Sequence, residues 1–244
     1  MRTQLYSPLQ QARKEIRFLR ILPGSWEDEI QCTLEVASLQ DDPQYYALSY
    51  VWGDRNDPRQ IVVNGNARDV TRNLESALQH LRSLETNLID LAKVPIWVDA
   101  LCINQEDLGE RNQQVSIMDE IYSKTARVII WLGEGDEVSD YVFQSMNSLD
   151  FCQWLKDYSD QTLDSDPEIA RQDSNFIRAV TTFLSFPDLL KSPWWTRVWI
   201  VQEFVLPASE PLFVRGRASA TLVRFARVHD LRVLRDFADA TWLT

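Results

Sequence analysis

Cysteine, histidine, glycine, long apolar runs and excess positive charge are all scarce in this 244-residue chain, and each scarcity removes a class of function. Three cysteines, Cys32, Cys102 and Cys152, make an odd number without metal-like spacing. His80 and His229 add no ligand set to them, so no metal is expected. Seven glycines leave little material for phosphate-cradling loops. No Walker-type sequence occurs, and Gly133-Glu134-Gly135 lacks the third glycine and the following helix of a dinucleotide fingerprint. The apolar runs are short pieces such as VIIWL, well under the ~18 residues of a membrane span. The opening MRTQLYSPLQQARKEIRFL carries no secretory signal, so the expectation is a soluble cytoplasmic protein with reduced thiols. A formal net charge of -11 repels nucleic acid and anionic membranes, so neither is an expected partner. An anionic small ligand would need a local group of donors.

What the chain does have is tryptophan, nine residues of it, and enough length for one large core. Residues 15–22 (EIRFLRIL) and 30–39 (IQCTLEVASL) alternate apolar with polar and read as paired strands with one wet face. YYALSYVWGD, residues 45–54, reads as a buried strand running into a loop. Asn64-Gly65 between residues 60–63 and 67–70 signals a type I′ hairpin. Leu74, Ala77, Leu78, Leu81, Leu84 and Leu88 keep helical spacing from Asn73 onward. IWVDALCI (96–103) reads as a second buried strand. Asp107 to Glu110 has capping-box offsets for a helix with Val115, Met118, Ile121 and Tyr122 on its inner stripe. RVIIWL (127–132) is a third buried strand. Between residues 134 and 191 lies an insertion with helical stretches YVFQSMNSLDFCQWL and NFIRAVTTFL around an acidic loop at 157–173. PLFVRG (211–216) predicts a short strand and residues 222–240 an amphipathic helix. Strand–helix–strand order of this kind predicts a three-layer α/β architecture, a parallel sheet with helices on both faces.

In such a sheet ligands bind beyond the carboxyl ends of the strands, which selects the loops after Tyr50, Asp99 and Leu132. Tyr50, Trp52, Asp54, Arg55, Asn104 and Gln105 are the side chains these loops offer. Asp99 interrupts an apolar strand; it either accepts backbone N–H groups from its own loop or faces a ligand. Cys102, at the end of the same strand, reads as inert core, with a thiol nucleophile as the rival. The stretch SPWWTRVWIVQEFVLP (192–207) predicts one short helix, capped by Ser192, opened by Pro193 and stopped by Pro207. Trp195, Trp199, Gln202 and Glu203 then fall on one stripe. Glu203 has two readings: an edge carboxylate paired with an arginine such as Arg197, or a shielded carboxylate that binds a substrate hydroxyl and stabilises a developing cation.

YALSYVWGD (46–54), IWVDALCINQEDLGERNQQVSIMDEIYSKTARVIIWLGE (96–134) and SPWWTRVWIVQE (192–203) closely resemble, in order, the three signature blocks of the fungal heterokaryon-incompatibility (HET) domain. The resemblance implies a single HET domain over residues 1–244: N-terminal strands to residue 44, an α/β core over 45–216 with the insertion at 134–191, and a C-terminal helix over 217–244. It implies a part in fungal allorecognition or innate immunity through programmed cell death. HET domains are remotely similar to Toll/interleukin receptor (TIR) domains, flavodoxin-like folds of which some cleave NAD+ and others act as scaffolds. Trp199-Ile-Val-Gln-Glu203 matches the W-x-x-x-E helix that carries the catalytic glutamate of those enzymes. By that resemblance Glu203 is catalytic, and Tyr50, Trp52, Gly53, Asp54, Arg55, Asp99, Asn104, Gln105 and Trp199 border NAD+, the substrate, with no further cofactor. The expected partners are NAD+, further copies in a homo-oligomer on activation, and an upstream immune receptor or incompatibility partner. The alternatives are a self-associating, non-enzymatic signalling domain and a thiol hydrolase using Cys102.

Overall fold

The computed structural model describes residues 5–148 and 189–224. Its first two strands, β1 (Glu15–Ile21) and β2 (Gln31–Ser38), pair antiparallel from Glu15↔Ser38 to Ile21↔Cys32. Strand β3 (Tyr46–Ser49) is buried along its whole length. Strands β4 (Pro58–Val63) and β5 (Asn66–Thr71) form the hairpin read from Asn64-Gly65. Both turn residues have positive φ, 50° and 74°, as a type I′ turn requires. Helix α1 (Arg72–Arg82) starts where the Thr71 hydroxyl accepts from Leu74 N, and it buries Leu74, Ala77, Leu78 and Leu81. It ends before Leu84 and Leu88, and Leu88 is exposed.

The chain continues through β6 (Ile96–Trp97), α2 (Asp99–Cys102), α3 (Leu108–Ser116), α4 (Met118–Lys124), β7 (Arg127–Trp131) and α5 (Glu137–Asn147). It resumes at a 3-10 turn, Pro193–Thr196, followed by α6 (Ile200–Val205), β8 (Leu212–Arg215) and β9 (Ala218–Thr221). The described strands make one sheet in the order β5-β4-β2-β1-β6-β3-β7-β8-β9. Its centre, β6-β3-β7-β8, is parallel. Antiparallel pairs extend it on both sides, so the sheet is mixed rather than parallel throughout.

Helices cover both faces of the parallel centre, because the strand register sorts two tryptophans to opposite sides. Trp97 is paired with Ala47, which shares a face with Ser49 two residues on. On that face Trp97 meets Tyr122 of α4 edge to face at 5.7 Å. Trp131 lies on the other face, donates to Asn73 Oδ1 of α1 at 2.9 Å and rests on His80 at 5.0 Å. The expected α/β layering is present, with α1 on one side and α4 and α6 on the other.

Three expected elements take a different form. IWVDALCI is strand only at Ile96–Trp97; after Val98 the chain turns into α2, with Cys102 N bonded to Val98 O at 2.8 Å. Val98, Leu101, Cys102 and Ile103 are buried, and an apolar run buried all round fits a strand or a short helix equally well. The helix after Asp107 breaks at Ile117 into α3 and α4, leaving Val115 exposed. Asp107 caps it by accepting from Gly109 N and Glu110 N, but Glu110 does not close the box: its carboxylate goes to Arg17 and Asn104 N. The segment from Ser192 is two pieces, the 3-10 turn and α6, with Arg197 extended between them (φ -78°, ψ 140°). The stretch NFIRAVTTFL, the acidic loop at 157–173, Cys152 and nearly all of the helix expected at 222–240 fall outside the described residues.

Arg17, 1% exposed, ties the start of the chain to α2. It forks onto Glu110 (2.5 and 2.9 Å) and donates to Cys102 O at 3.0 Å and Ser7 O at 2.6 Å. Its guanidinium lies 4.8 Å from the ring of Tyr6, whose hydroxyl donates to Leu101 O. Glu110 offsets the charge of this buried guanidinium and both terminal nitrogens are bonded, while Nε has no partner among the described residues.

Candidate functional site

The carboxyl ends of β3 and β6 lie side by side, and their connections leave toward opposite faces. After β3 the chain runs through the β4–β5 hairpin to α1; after β6 it runs through α2 to α4 on the other face. This is the switch point at which open α/β sheets bind ligands.

Two cavities meet there. The first, about 360 Å³, is mainly apolar, walled by Val51, Ile103, Met118 and Trp199, with Asp99 and Arg197 as its opposite charges. The second, about 310 Å³, lies between the β3 loop and the hairpin and is lined by Tyr50, Arg55 and Thr71 among others. Trp52, Gln105 and Arg111 line both, so Trp52 stands as a partition in one cleft. Each volume is at the small end for a ligand site.

Glu203 sits behind the first cavity rather than in it. It is 1% exposed and grips Arg197 through two parallel bonds, Nη1–Oε2 and Nη2–Oε1, both 2.8 Å. On one continuous helix residues six apart lie about 120° apart around the axis, so these side chains would not meet. The extended Arg197 is what folds the guanidinium back over α6. Ser49 Oγ donates to Glu203 Oε2 at 2.6 Å and accepts from Trp194 Nε1 at 2.5 Å. Tyr122 OH donates to Oε1 at 3.4 Å. Burial, with the nearby Glu203 charge, raises the Tyr122 phenol well above its ordinary pKa, so it stays a neutral donor. Ser49, Trp194 and Tyr122 escaped the sequence-based site. Their only signals were a serine in the YALSYVWGD block, and a tryptophan and a tyrosine indistinguishable from core.

Asp99 faces the first cavity. Its Oδ2 accepts from Trp52 Nε1 and its Oδ1 from Ala100 N, both at 2.7 Å, and Gln105 Nε2 donates to its backbone carbonyl. Asp99 accepts a loop N–H, as the structural reading expects, and it also stands on the cavity wall. Burial raises its pKa above the ordinary carboxylate value, against the opposing effects of Trp52, Ala100 N and Arg197. Tyr50, 2% exposed, is raised well above the usual phenol value by burial and by Asp99.

The remaining sequence candidates divide. Tyr50, Trp52, Arg55, Gln105 and Trp199 line the cleft. Gly53 turns the loop with φ 81°, and a Cβ there would stand 3.2 Å from Asn73 Cβ. Asp54 accepts from Asn56 N and Nδ2 within its own loop. Asn104 holds the α2–α3 connection, its N–H on Glu110 and its Oδ1 accepting from Glu106 N. The expected stripe of Trp195 and Trp199 beside the acid is rearranged: the ring buried at Ser49 is Trp194, while Trp199 is 43% exposed. Arg111 is a cleft residue with no counterpart among the sequence candidates. Cys102 is buried in the core and its thiol is pushed up to about 12, chiefly by burial, so it is protonated at neutral pH. Among the described residues no group of three potential ligands could hold a metal, and no helix is long and apolar enough to cross a membrane.

The architecture is that of a mixed α/β domain, an open sheet with a divided cleft at its switch point. The chain belongs to the heterokaryon incompatibility family: the family profile described as Heterokaryon incompatibility protein (HET) matches residues 45–203. It is also similar to Heterokaryon incompatibility protein 6, OR allele, of Neurospora crassa, at 31% identity over 226 residues. That match covers 82% of this chain and 33% of the Neurospora protein, so the chain spans about a third of the relative's length. No solved structure matches it.

Proposed function

We propose that the chain acts in heterokaryon incompatibility and the cell death that follows it, by cleaving the nicotinamide N-glycosidic bond of NAD+ with Glu203 as the catalytic carboxylate. The observation that carries this reading is a buried carboxylate placed behind the apolar compartment of a switch-point cleft, with Arg197 between it and the cavity. The likeness of Trp199–Glu203 to the W-x-x-x-E helix of TIR enzymes supports it. In the reaction the C1′–N bond breaks and its electron pair returns to the pyridinium nitrogen, releasing neutral nicotinamide. The ribosyl cation character is offset by carboxylate charge, and water adds at C1′ to give ADP-ribose and a proton. No general acid is needed for the leaving group. Trp199 and Trp52 wall the ring compartment, and Asp99 lies within it to meet sugar hydroxyls.

Arg197 occupies both oxygens of Glu203, so Glu203 reaches a substrate only when that fork opens. Self-association offers a means. Val198, Val201, Val205 and Leu206 expose an apolar strip along the same segment, suited to a second copy of this chain. The same two facts favour a second reading, a non-enzymatic domain that self-associates to signal, in which Glu203 is a structural partner of Arg197.

Nicotinamide release decides between them. The purified chain, dilute and then artificially clustered, is incubated with NAD+ beside a Glu203→Gln variant shown to be folded. Release by the wild type alone is expected; no release under any clustering, from folded protein, moves the assignment to the signalling domain.

A further inference from the structure

Arg55 and Arg111 are exposed residues that approach the cleft from different elements, the β3 loop and α3, yet neither has an ion-pair partner among the described residues. The third arginine on the cleft wall, Arg197, is by contrast paired with Glu203. Arg55 lies 4.9 Å over the ring of Trp52, the partition between the compartments, which fixes its charge at the cavity mouth. Arg111 lines both compartments. Asp69 is the one carboxylate on this compartment's wall; it is exposed, and Gln60 Nε2 donates to it.

We propose that Arg55 and Arg111 form a phosphate-binding subsite where the two compartments meet at Trp52. The inference rests on the nucleotide reading above and adds a direction to it. The diphosphate crosses the partition at Arg111 and Arg55, the nicotinamide end enters the apolar compartment toward Asp99 and Arg197, and the adenosine end lies along the hairpin beside Thr71. Guanidinium suits this task because its planar donors match phosphate oxygens in pairs, and an arginine without a carboxylate partner gives up no existing ion pair to do so. Each compartment carries one carboxylate and two guanidinium groups, Asp99 with Arg111 and Arg197 in the apolar one and Asp69 with Arg55 and Arg111 in the other. The difference is that Arg197 is held by Glu203, whereas Arg55 and Arg111 have no ion pair among the described residues.

The test compares ADP with adenosine by titration calorimetry on the whole chain, wild type beside Arg111→Gln and Arg55→Gln, with nicotinamide release measured on the same samples. Both substitutions remove an exposed side chain without an ion pair, so the variants should fold, and circular dichroism checks this. The wild type is expected to bind ADP at least tenfold more tightly than adenosine, a difference that either variant reduces on the order of tenfold while adenosine binding is unchanged. Added salt should weaken ADP binding and leave adenosine untouched. Equal binding of ADP and adenosine by the wild type, or an undiminished difference in both variants, overturns the subsite while leaving NAD+ cleavage to stand on its own release assay. Absence of binding to either, together with no nicotinamide release, overturns the subsite and the nucleotide reading together.

Discussion

Asp99 and Glu203 are two carboxylates near the same cavity, Asp99 on its wall and Glu203 behind Arg197, and they are treated in opposite ways. Glu203 is closed in: both oxygens are held by Arg197, with Ser49 and Tyr122 adding donors. Among the described residues Asp99 has Trp52, one backbone N–H and the neighbouring Tyr50 phenol, with no ion pair, and its pKa is raised. Charge matching has thus been spent on the carboxylate away from the cavity, and the one facing it is left with room for a further donor. A fully matched group is rigid but must be undone to react; a partly matched one is available at once.

The sharpest way to break this contrast is Arg197→Ala. It leaves Glu203 buried without its counter-charge and should cost about 3–5 kcal/mol in urea unfolding. Replacing the pair together, Arg197→Met with Glu203→Leu, should recover most of that loss, and a double-mutant cycle measures the coupling. If Arg197→Ala costs little, the closed nest is not a structural unit. Ser49→Ala comes next: Trp194 Nε1 loses its acceptor and Glu203 a donor, at about 1–3 kcal/mol. On the open side Gly53→Ala forces a side chain to φ 81° beside Asn73 and should cost about 1–2 kcal/mol.

The smallest effect is read against pH. Because Asp99 has a higher pKa folded than unfolded, the folded state binds its proton more tightly. Its contribution to stability is complete below the unfolded value of about 4 and is lost as pH rises through the folded value. The stability of Asp99→Asn relative to wild type should therefore improve as pH rises from about 4 toward neutrality. A difference that does not change over that range would show that folding does not raise the Asp99 pKa.

Much of the scaffold was legible because it repeats with a simple period. The Asn64-Gly65 turn and the buried stripe of α1 each encode one local geometry. The alternation over residues 15–22 and 30–39 located the strand pair, but β1 has no wet face, since Ile16, Arg17, Phe18 and Leu19 are all buried. The cleft was legible as a place, through the carboxyl-end rule applied to the β3 and β6 loops. What escaped depends on breaks. Nothing in TRVWIVQE announces that Arg197 is extended, yet that residue's ψ decides that Arg197 meets Glu203 and that Trp194 replaces Trp199 at the buried end. VDALCI could not be told from strand because Val98, Leu101, Cys102 and Ile103 are all buried, which leaves no clear period. Arg111 escaped because a lone arginine on a polar helix face has the look of solvated surface until the hairpin is seen to line the same cavity.

The buried Arg17 gives the cleft a mechanical property. Through it, residues 6 and 7, the first strand and the Cys102 carbonyl form one tethered body, with Tyr6 pinned to Leu101 immediately under Asp99. The floor of the cleft therefore opens no more readily than the start of the chain peels away, and amides of β1 and of residues 99–110 should exchange with deuterium as one cooperative unit. Anything that pulls on the amino-terminal residues pulls, by that tether, on the ground beneath the ligand.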